Sequence, residues 1–376
     1  MSDESGEVSV TSSTRPHPDT IRAWDHLVSH TPHSDVAQLS AWSAVRRQAG
    51  YVPHYVLVRR AGRLVGGALV LQRRLPVLGV VGYVPNGPVI APGAGRSAVA
   101  QAVSTALADL GRRRLSGLFV QPPDRADDIS ERLLQLGFRP SVAGIAPAAS
   151  IRIDLTRDVE ELRHGLTTSN RRRTRARAWA DRGVTVRRGG ERDLPMVADL
   201  LAHTAAHQQF DPPSLSYLRT LYRELHRGDH VHIFIAELAG VAAVAELFTG
   251  CGGALTSRLT GMHRDDPVKK SGAAAAVIWY AILWAKANGY HTFDFGGFPV
   301  DAVDMIRNGE SGCTSRLTGP EVFKASFGGQ PFRYPAAIEL LSSRLLRTGY
   351  DLSRRSEVGG KFVATARRLL QGRATS

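Results

Sequence analysis

Two cysteines in 376 residues, Cys251 and Cys313, lie too far apart in sequence to suggest a disulfide framework or a structural zinc site. A reducing, cytoplasmic setting is the expectation. Long apolar runs are also missing. The longest, Gly272 to Ala285, has fourteen residues between Lys270 and Lys286, too short to span a bilayer and long enough for a buried helix. No stable membrane insertion is therefore expected. The first twenty residues, MSDESGEVSVTSSTRPHPDT, hold no apolar core, which excludes a signal peptide and predicts a disordered tail over 1–20. Acidic residues are in deficit, 34 Asp and Glu against 48 Lys and Arg, for a net charge of +14 and a pI near 10.4. That surplus favours a polyanionic partner such as RNA, a nucleotide or a phospholipid head group, without choosing among them.

Several catalytic motifs are absent too. There is no Gly-x-Ser-x-Gly elbow and no complete Gly-x-x-x-x-Gly-Lys-Ser/Thr loop, so serine-hydrolase and P-loop readings lack support. His203 and His207 share a helix face in "HTAAH", but Thr204 follows the first and no Glu completes a zinc-protease pattern. No metal is expected.

What is present is a 43% apolar chain long enough for two cores. The first half reads as helix "DVAQLSAWSAVRRQAG", a strand pair "YVLVRRAGRLVGGALVLQRR", the apolar run "LPVLGVVGYVPNGPVIAPG", an Ala-rich helix "RSAVAQAVSTALADLGRRR" and a short buried strand "LSGLFVQPP". The second half repeats that order, with helix "SGAAAAVIWYAILWAKANGY" leading into strand "HTFDFGG". A duplicated mixed α/β unit accounts for this. The seam falls near residues 144–155. Expected divisions are a tail over 1–20, a first domain over 21–148, a second over 149–322, and a C-terminal segment over 323–376 that returns to the first domain and ends in a basic helix.

In "VKKSGAAAAVIW", Lys269, Gly272 and Ala274 have the spacing of the acyl-CoA pyrophosphate loop of GNAT acyltransferases, with Lys270 beside them. Small residues there let backbone amides approach phosphate oxygens at a helix N-terminus. Ordinary helix capping gives the same letters. Asp294 in "FDFGG" follows a buried strand and fits either a catalytic base or a carboxylate satisfying loop amides.

Taken in order, "AQLSAWSAVRRQAG", "GYVPNGPVIAPG", "NRRRTRARAWADRGVTV", "WYAILWAKANGYHTFDFGG" and "FKASFGG" resemble the Fem family of aminoacyl-tRNA-dependent transferases, over about residues 35–335. The resemblance implies an α/β (α+β) fold of two tandem GNAT-like domains, each a mixed, mostly antiparallel sheet flanked by helices. It implies amide formation, in which an acceptor amine attacks the ester of an aminoacyl-tRNA. A fixed cation near the ester oxygen suits such a reaction, and the family's lysine for this task matches Lys324, with Phe323 before it. Arg46 falls where peptidoglycan-type members place a cation for a nucleotide diphosphate. His207 stands where members commonly carry arginine, and Arg258 lies in "LTSRLTG", which lacks their tyrosine. These departures put a UDP-linked muropeptide acceptor in question.

The expected partners are thus aminoacyl-tRNA as co-substrate and a small-molecule or peptide amine as acceptor, with no further cofactor. Natural-product assembly is the leading setting and a peptidoglycan-precursor bridge the alternative. A CoA-dependent N-acyltransferase and a non-catalytic RNA-binding protein remain open. The segment "TSNRRRTRARAWADRG", residues 168–183, carries six arginines. Arg171, Arg172 and Arg175 are its candidates for a donor phosphate backbone, against a merely solvated helix face.

Overall fold

The computed structural model describes residues 7–76, 78–141, 143–173, 179–308 and 317–353. Two compact units emerge, one formed by 1–148 with 334–376 and the other by 149–333.

In the first unit, strands Val8–Ser13 (β1), Val52–Arg60 (β2), Arg63–Leu75 (β3), Gly79–Val84 (β4), Val89–Ile90 (β5), Gly117–Val120 (β6) and Arg139–Pro140 (β7) form a sheet together with Ile338–Leu341, which comes from beyond the second unit in sequence. That late strand inserts between β6 and β7, antiparallel to both. The β2–β3 hairpin turns at Ala61 and Gly62, both with positive φ, the conformation that tight two-residue turns demand. Helix Arg96–Arg114 crosses from β4 to β6, making them the parallel pair of this sheet. Its Val99, Val103 and Leu107 are fully buried in the core against Val56, Val58 and Val70.

The expected disordered tail is corrected by β1. Val8–Ser13 pairs residue for residue with β2, from Val8 opposite Arg60 to Ser13 opposite Tyr55. Six residues of alternating Val, Ser and Thr suit a pleated edge strand, and Pro18–His30 follows as a helix that buries Trp24 and Val28.

The second unit holds Ala149–Asp154 (β8), Val184–Gly189 (β9), Val231–Leu238 (β10), Val241–Cys251 (β11), Ala254–Met262 (β12), Thr292–Asp294 (β13) and Gln330–Arg333 (β14), in the order β14-β8-β13-β12-β11-β10-β9. Again one pair is parallel, β12 with β13, joined by the Ala-rich helix Ala273–Ala287. An aromatic series runs through the core. Phe234 meets Phe248 at 5.7 Å between centroids, Phe248 meets Phe293 at 5.5 Å, and Phe293 meets Phe295 at 5.0 Å. Phe295 then meets Phe327 at 5.5 Å, and Phe327 meets Phe323 at 5.2 Å. Such tilted and edge-on pairs add to the burial of large apolar surfaces. The series anchors helix Gly319–Ala325, which carries Lys324. Residues 323–333, expected in the C-terminal return, lie in this unit because β14 pairs with β8. Among the described residues no helix is long and apolar enough to cross a membrane.

Candidate active site

The helix bearing Lys324 has Pro320 in its first turn, and Glu321 accepts a hydrogen bond at 2.6 Å from the backbone N–H of Thr318 just ahead of it. From the last turn, Lys324 Nζ donates to the carbonyl oxygens of Gly296 and Gly297, at 3.0 and 2.8 Å. An ammonium has three N–H groups, so among the described residues these two bonds leave one. Burial pushes its pKa down, partly opposed by the charges of Glu246, Asp294 and Glu321.

The two carbonyls are aimed by Asp294 at the end of β13. Its carboxylate accepts from Arg152 Nε on β8 at 2.7 Å, from the Gly296 backbone N–H at 2.8 Å, and from the Ser150 hydroxyl. The loop is also pinned to β8 through Phe295 N–H to the Ile151 carbonyl at 3.0 Å and Phe298 N–H to the Ala149 carbonyl at 2.8 Å. Gly296 has φ +64°, and a Cβ there would sit 2.5 Å from the Ser257 carbonyl oxygen, so only glycine fits. Of the two readings of Asp294, this geometry favours a carboxylate satisfying loop amides. Both its oxygens are engaged, and the residue is 1% exposed.

Glu246 on β11 is a residue that sequence reading missed, as it missed Arg152, Ser150 and Asn170. It is 3% exposed, faces Thr260 across the β11–β12 register, and accepts from the Ser257 hydroxyl at 3.3 Å and from the Thr260 hydroxyl. Burial pushes its carboxyl up to about 7, against the lowering effect of both hydroxyls and of Lys324. The available signal was one glutamate inside the apolar strand "VAAVAELFTG".

A second clamp holds the far end of the Lys324 helix. Asn170, 3% exposed, donates to the Ser326 hydroxyl at 2.6 Å, and Thr167 N–H donates to the Ser326 carbonyl at 3.0 Å. Gly328, with φ +76°, packs so closely on Gly165 that a Cβ would lie 2.1 Å from its carbonyl oxygen. The described start of the arginine-rich segment, helix Thr168–Arg173, therefore supports the lysine from behind.

The family model of the acetyltransferase (GNAT) domain matches residues 166–308, within the second unit. Lipid II:glycine glycyltransferase of Staphylococcus aureus (strain MRSA252) is 24% identical over 230 residues, 58% of this chain and 54% of that protein. The chain thus spans about half the length of the curated relatives it matches. The crystal structure of FemX superposes with a TM-score of 0.73 at 17% identity, covering 88% of this chain and 98% of that one. The chain shares the fold of FemX and is similar in sequence to the staphylococcal glycyltransferase over those 230 residues. The structure of L-PGS from Bacillus licheniformis shares the fold at a TM-score of 0.55 and 14% identity, over 99% of this chain and 100% of that one.

Within this fold the other sequence-predicted residues are placed as follows. Phe323 lies half-buried beside Lys324, and Arg258 on β12 donates to the Thr249 hydroxyl at 2.7 Å. His207 is exposed in the last turn of Leu194–Gln208, while His203 packs edge-on against His263 at 4.5 Å. Arg46 belongs to the first unit. It is 5% exposed, with its guanidinium 4.7 Å from the centre of the Tyr51 ring and Arg73 at 5.7 Å from the same ring.

The phosphate-loop stretch is not a loop. Asp266–Ser271 is a short helix capped by Asp265 and begun with Pro267, and Gly272 at φ +84° turns directly into the next helix. Lys269 and Lys270 are exposed, and Lys270 pairs with Asp266 at 3.2 Å. The Ser271 hydroxyl already takes the Ala273 N–H at 3.1 Å, and Ala274 is half-buried. Arg171 is a cap rather than a hook: its Nη2 donates to the carbonyls of His164 and Leu166 at 2.8 and 3.2 Å. The Arg172 side chain and all of Arg175 lie outside the described residues.

Proposed function

We propose that this protein is an aminoacyltransferase that moves an amino acid from aminoacyl-tRNA to an amine of a peptidoglycan-precursor acceptor. The observation that carries the reading is Lys324, a half-buried ammonium held on two carbonyls, with one N–H to spare among the described residues. An amine attacking an ester carbonyl pushes charge onto its oxygen. A fixed cation in a desolvated setting stabilises that oxyanion and needs no reorganisation when the charge appears. Asp294, Arg152 and Ser150 hold the glycine carbonyls in place, so we assign them positioning roles.

The acceptor class rests on the staphylococcal relatives, whose printed activity is glycyl transfer on lipid II. They support a peptidoglycan-type acceptor over natural-product assembly. The donor class rests on the sequence resemblance and on the helix at 266–271. An acyl-CoA pyrophosphate needs free amides at a loop, whereas here the turn begins with Asp265 and Asp266, and the Ala273 amide is already bonded.

The test incubates the full-length protein with a pool of radiolabelled aminoacyl-tRNAs and either lipid II or soluble UDP-linked muropeptide. RNase-sensitive transfer of label is expected. Transfer from acetyl-CoA that survives RNase would refute the donor assignment, and transfer only to unrelated amines would refute the acceptor class.

A further inference from the structure

Glu246 has no task in the oxyanion step, yet a carboxylate at 3% exposure in an otherwise apolar strand is costly to keep. The Ser257 and Thr260 hydroxyls reach it from β12, Thr260 is itself exposed, and the Lys324 charge acts on it from the helix at 319–325. Of the other charged groups on these strands, Asp294 of β13 is bonded to Arg152 of β8, and Arg258 of β12 donates to Thr249. The buried carboxyl is therefore one hydroxyl away from the surface and within electrostatic reach of the lysine.

We propose that Glu246 receives the proton of the acceptor ammonium through the Thr260 and Ser257 hydroxyls, making it the proton acceptor of the transfer reaction. This rests on the aminoacyl-transfer reading above. An acceptor arriving as an ammonium cannot attack, because its lone pair is occupied. One proton passes from the ammonium to a hydroxyl while that hydroxyl passes its own to Glu246. The freed nitrogen pair forms the C–N bond at the ester carbonyl, and the carbonyl pair moves onto the oxygen beside Lys324. Collapse breaks the C–O bond to the ribose, whose oxygen leaves with the second nitrogen proton. Glu246 then returns its proton to solvent by way of exposed Thr260. The totals balance: ammonium and ester give amide, ribose hydroxyl and one released proton. Burial places the carboxyl near neutrality, where such a group both takes and returns a proton.

The experiment measures kcat/KM against pH for the full-length protein, using aminoacyl-tRNA with lipid II and, separately, with hydroxylamine, an acceptor already unprotonated at neutral pH. With lipid II, Glu246→Gln is expected to lose about 10²-fold and to lose the rising limb near neutral pH. With hydroxylamine the same variant is expected to fall within a few-fold of wild type. A variant deficit of equal size for both acceptors, or an unchanged rising limb, overturns the proposal and leaves Glu246 as a counter-charge for Lys324. Should Glu246→Gln fail to fold, Thr260→Val, at an exposed position, is expected to show the same acceptor-dependent loss at about tenfold, and equal losses overturn the proposal. Absence of any RNase-sensitive transfer by wild type overturns the functional reading itself, a different result from transfer with an unaltered Glu246→Gln profile.

Discussion

Replacing Glu246 with glutamine should make the protein more stable at alkaline pH and leave it unchanged at acid pH. The carboxyl sits at about 7 in the folded state against 4.5 when solvated. Between those values the folded chain holds a proton that the unfolded chain has released, so folding stability falls as pH rises through this window. A displacement of that size is worth about 3 kcal/mol, fully developed above pH 7 and absent below pH 4.5. Glutamine keeps the shape and the hydrogen-bonding reach but cannot ionise. Urea unfolding of wild type and variant at pH 4.5, 6 and 8 reads the difference directly. His232, which burial holds down at about 4, loses stability as pH falls through 6.5. Both proteins share it, so the difference between them isolates Glu246. Equal unfolding free energies at pH 8, or a gap of constant size from pH 4.5 to 8, would refute the reasoning.

Other outcomes follow from the same geometry. Lys324→Ala should reduce kcat for RNase-sensitive transfer by about 10²-fold or more with tRNA binding retained, and an unchanged kcat removes the oxyanion role. Asn170→Ala frees Ser326 and should lower unfolding free energy by about 1–2 kcal/mol; because it displaces Lys324, kcat should fall more than KM rises. Gly328→Ala meets both a positive φ and the Gly165 carbonyl, so a stability loss of at least about 1–3 kcal/mol is expected by urea unfolding. Arg171→Ala should destabilise with little change in salt sensitivity, whereas neutralising Arg172 and Arg175 together should flatten the salt dependence of tRNA binding, measured by filter binding at several ionic strengths.

Local patterning made the strands and the two Ala-rich crossovers legible, because apolar period and Gly or Pro punctuation are properties of neighbouring residues. The tail at Val8–Ser13 was not, since its structure depends on an edge offered by β2 some fifty residues later. Lys269, Gly272 and Ala274 mark a helix start in either reading. What the spacing does not reveal is the short helix Asp266–Ser271 ahead of Gly272, capped by Asp265 and begun with Pro267. The site itself is assembled across long separations. Asp294 meets Arg152 and Ser150 across 142 and 144 residues, and Asn170 meets Ser326 across 156. Lys324 was reached by resemblance and not by any pattern in its neighbourhood, while Glu246 was signalled only by being the wrong kind of residue for its strand.

The late strand Ile338–Leu341 gives the chain a particular order of completion. It lies between β6 and β7 in a sheet whose other strands end by Pro140, so a ribosome must finish the whole second unit before the first can close its sheet. Until then β6 and β7 have a missing neighbour and their backbone groups stay open to solvent or to other chains. In sequence the second unit is an insertion within the first, and a truncation anywhere before residue 338 strands the earlier half of the protein rather than merely shortening the later one.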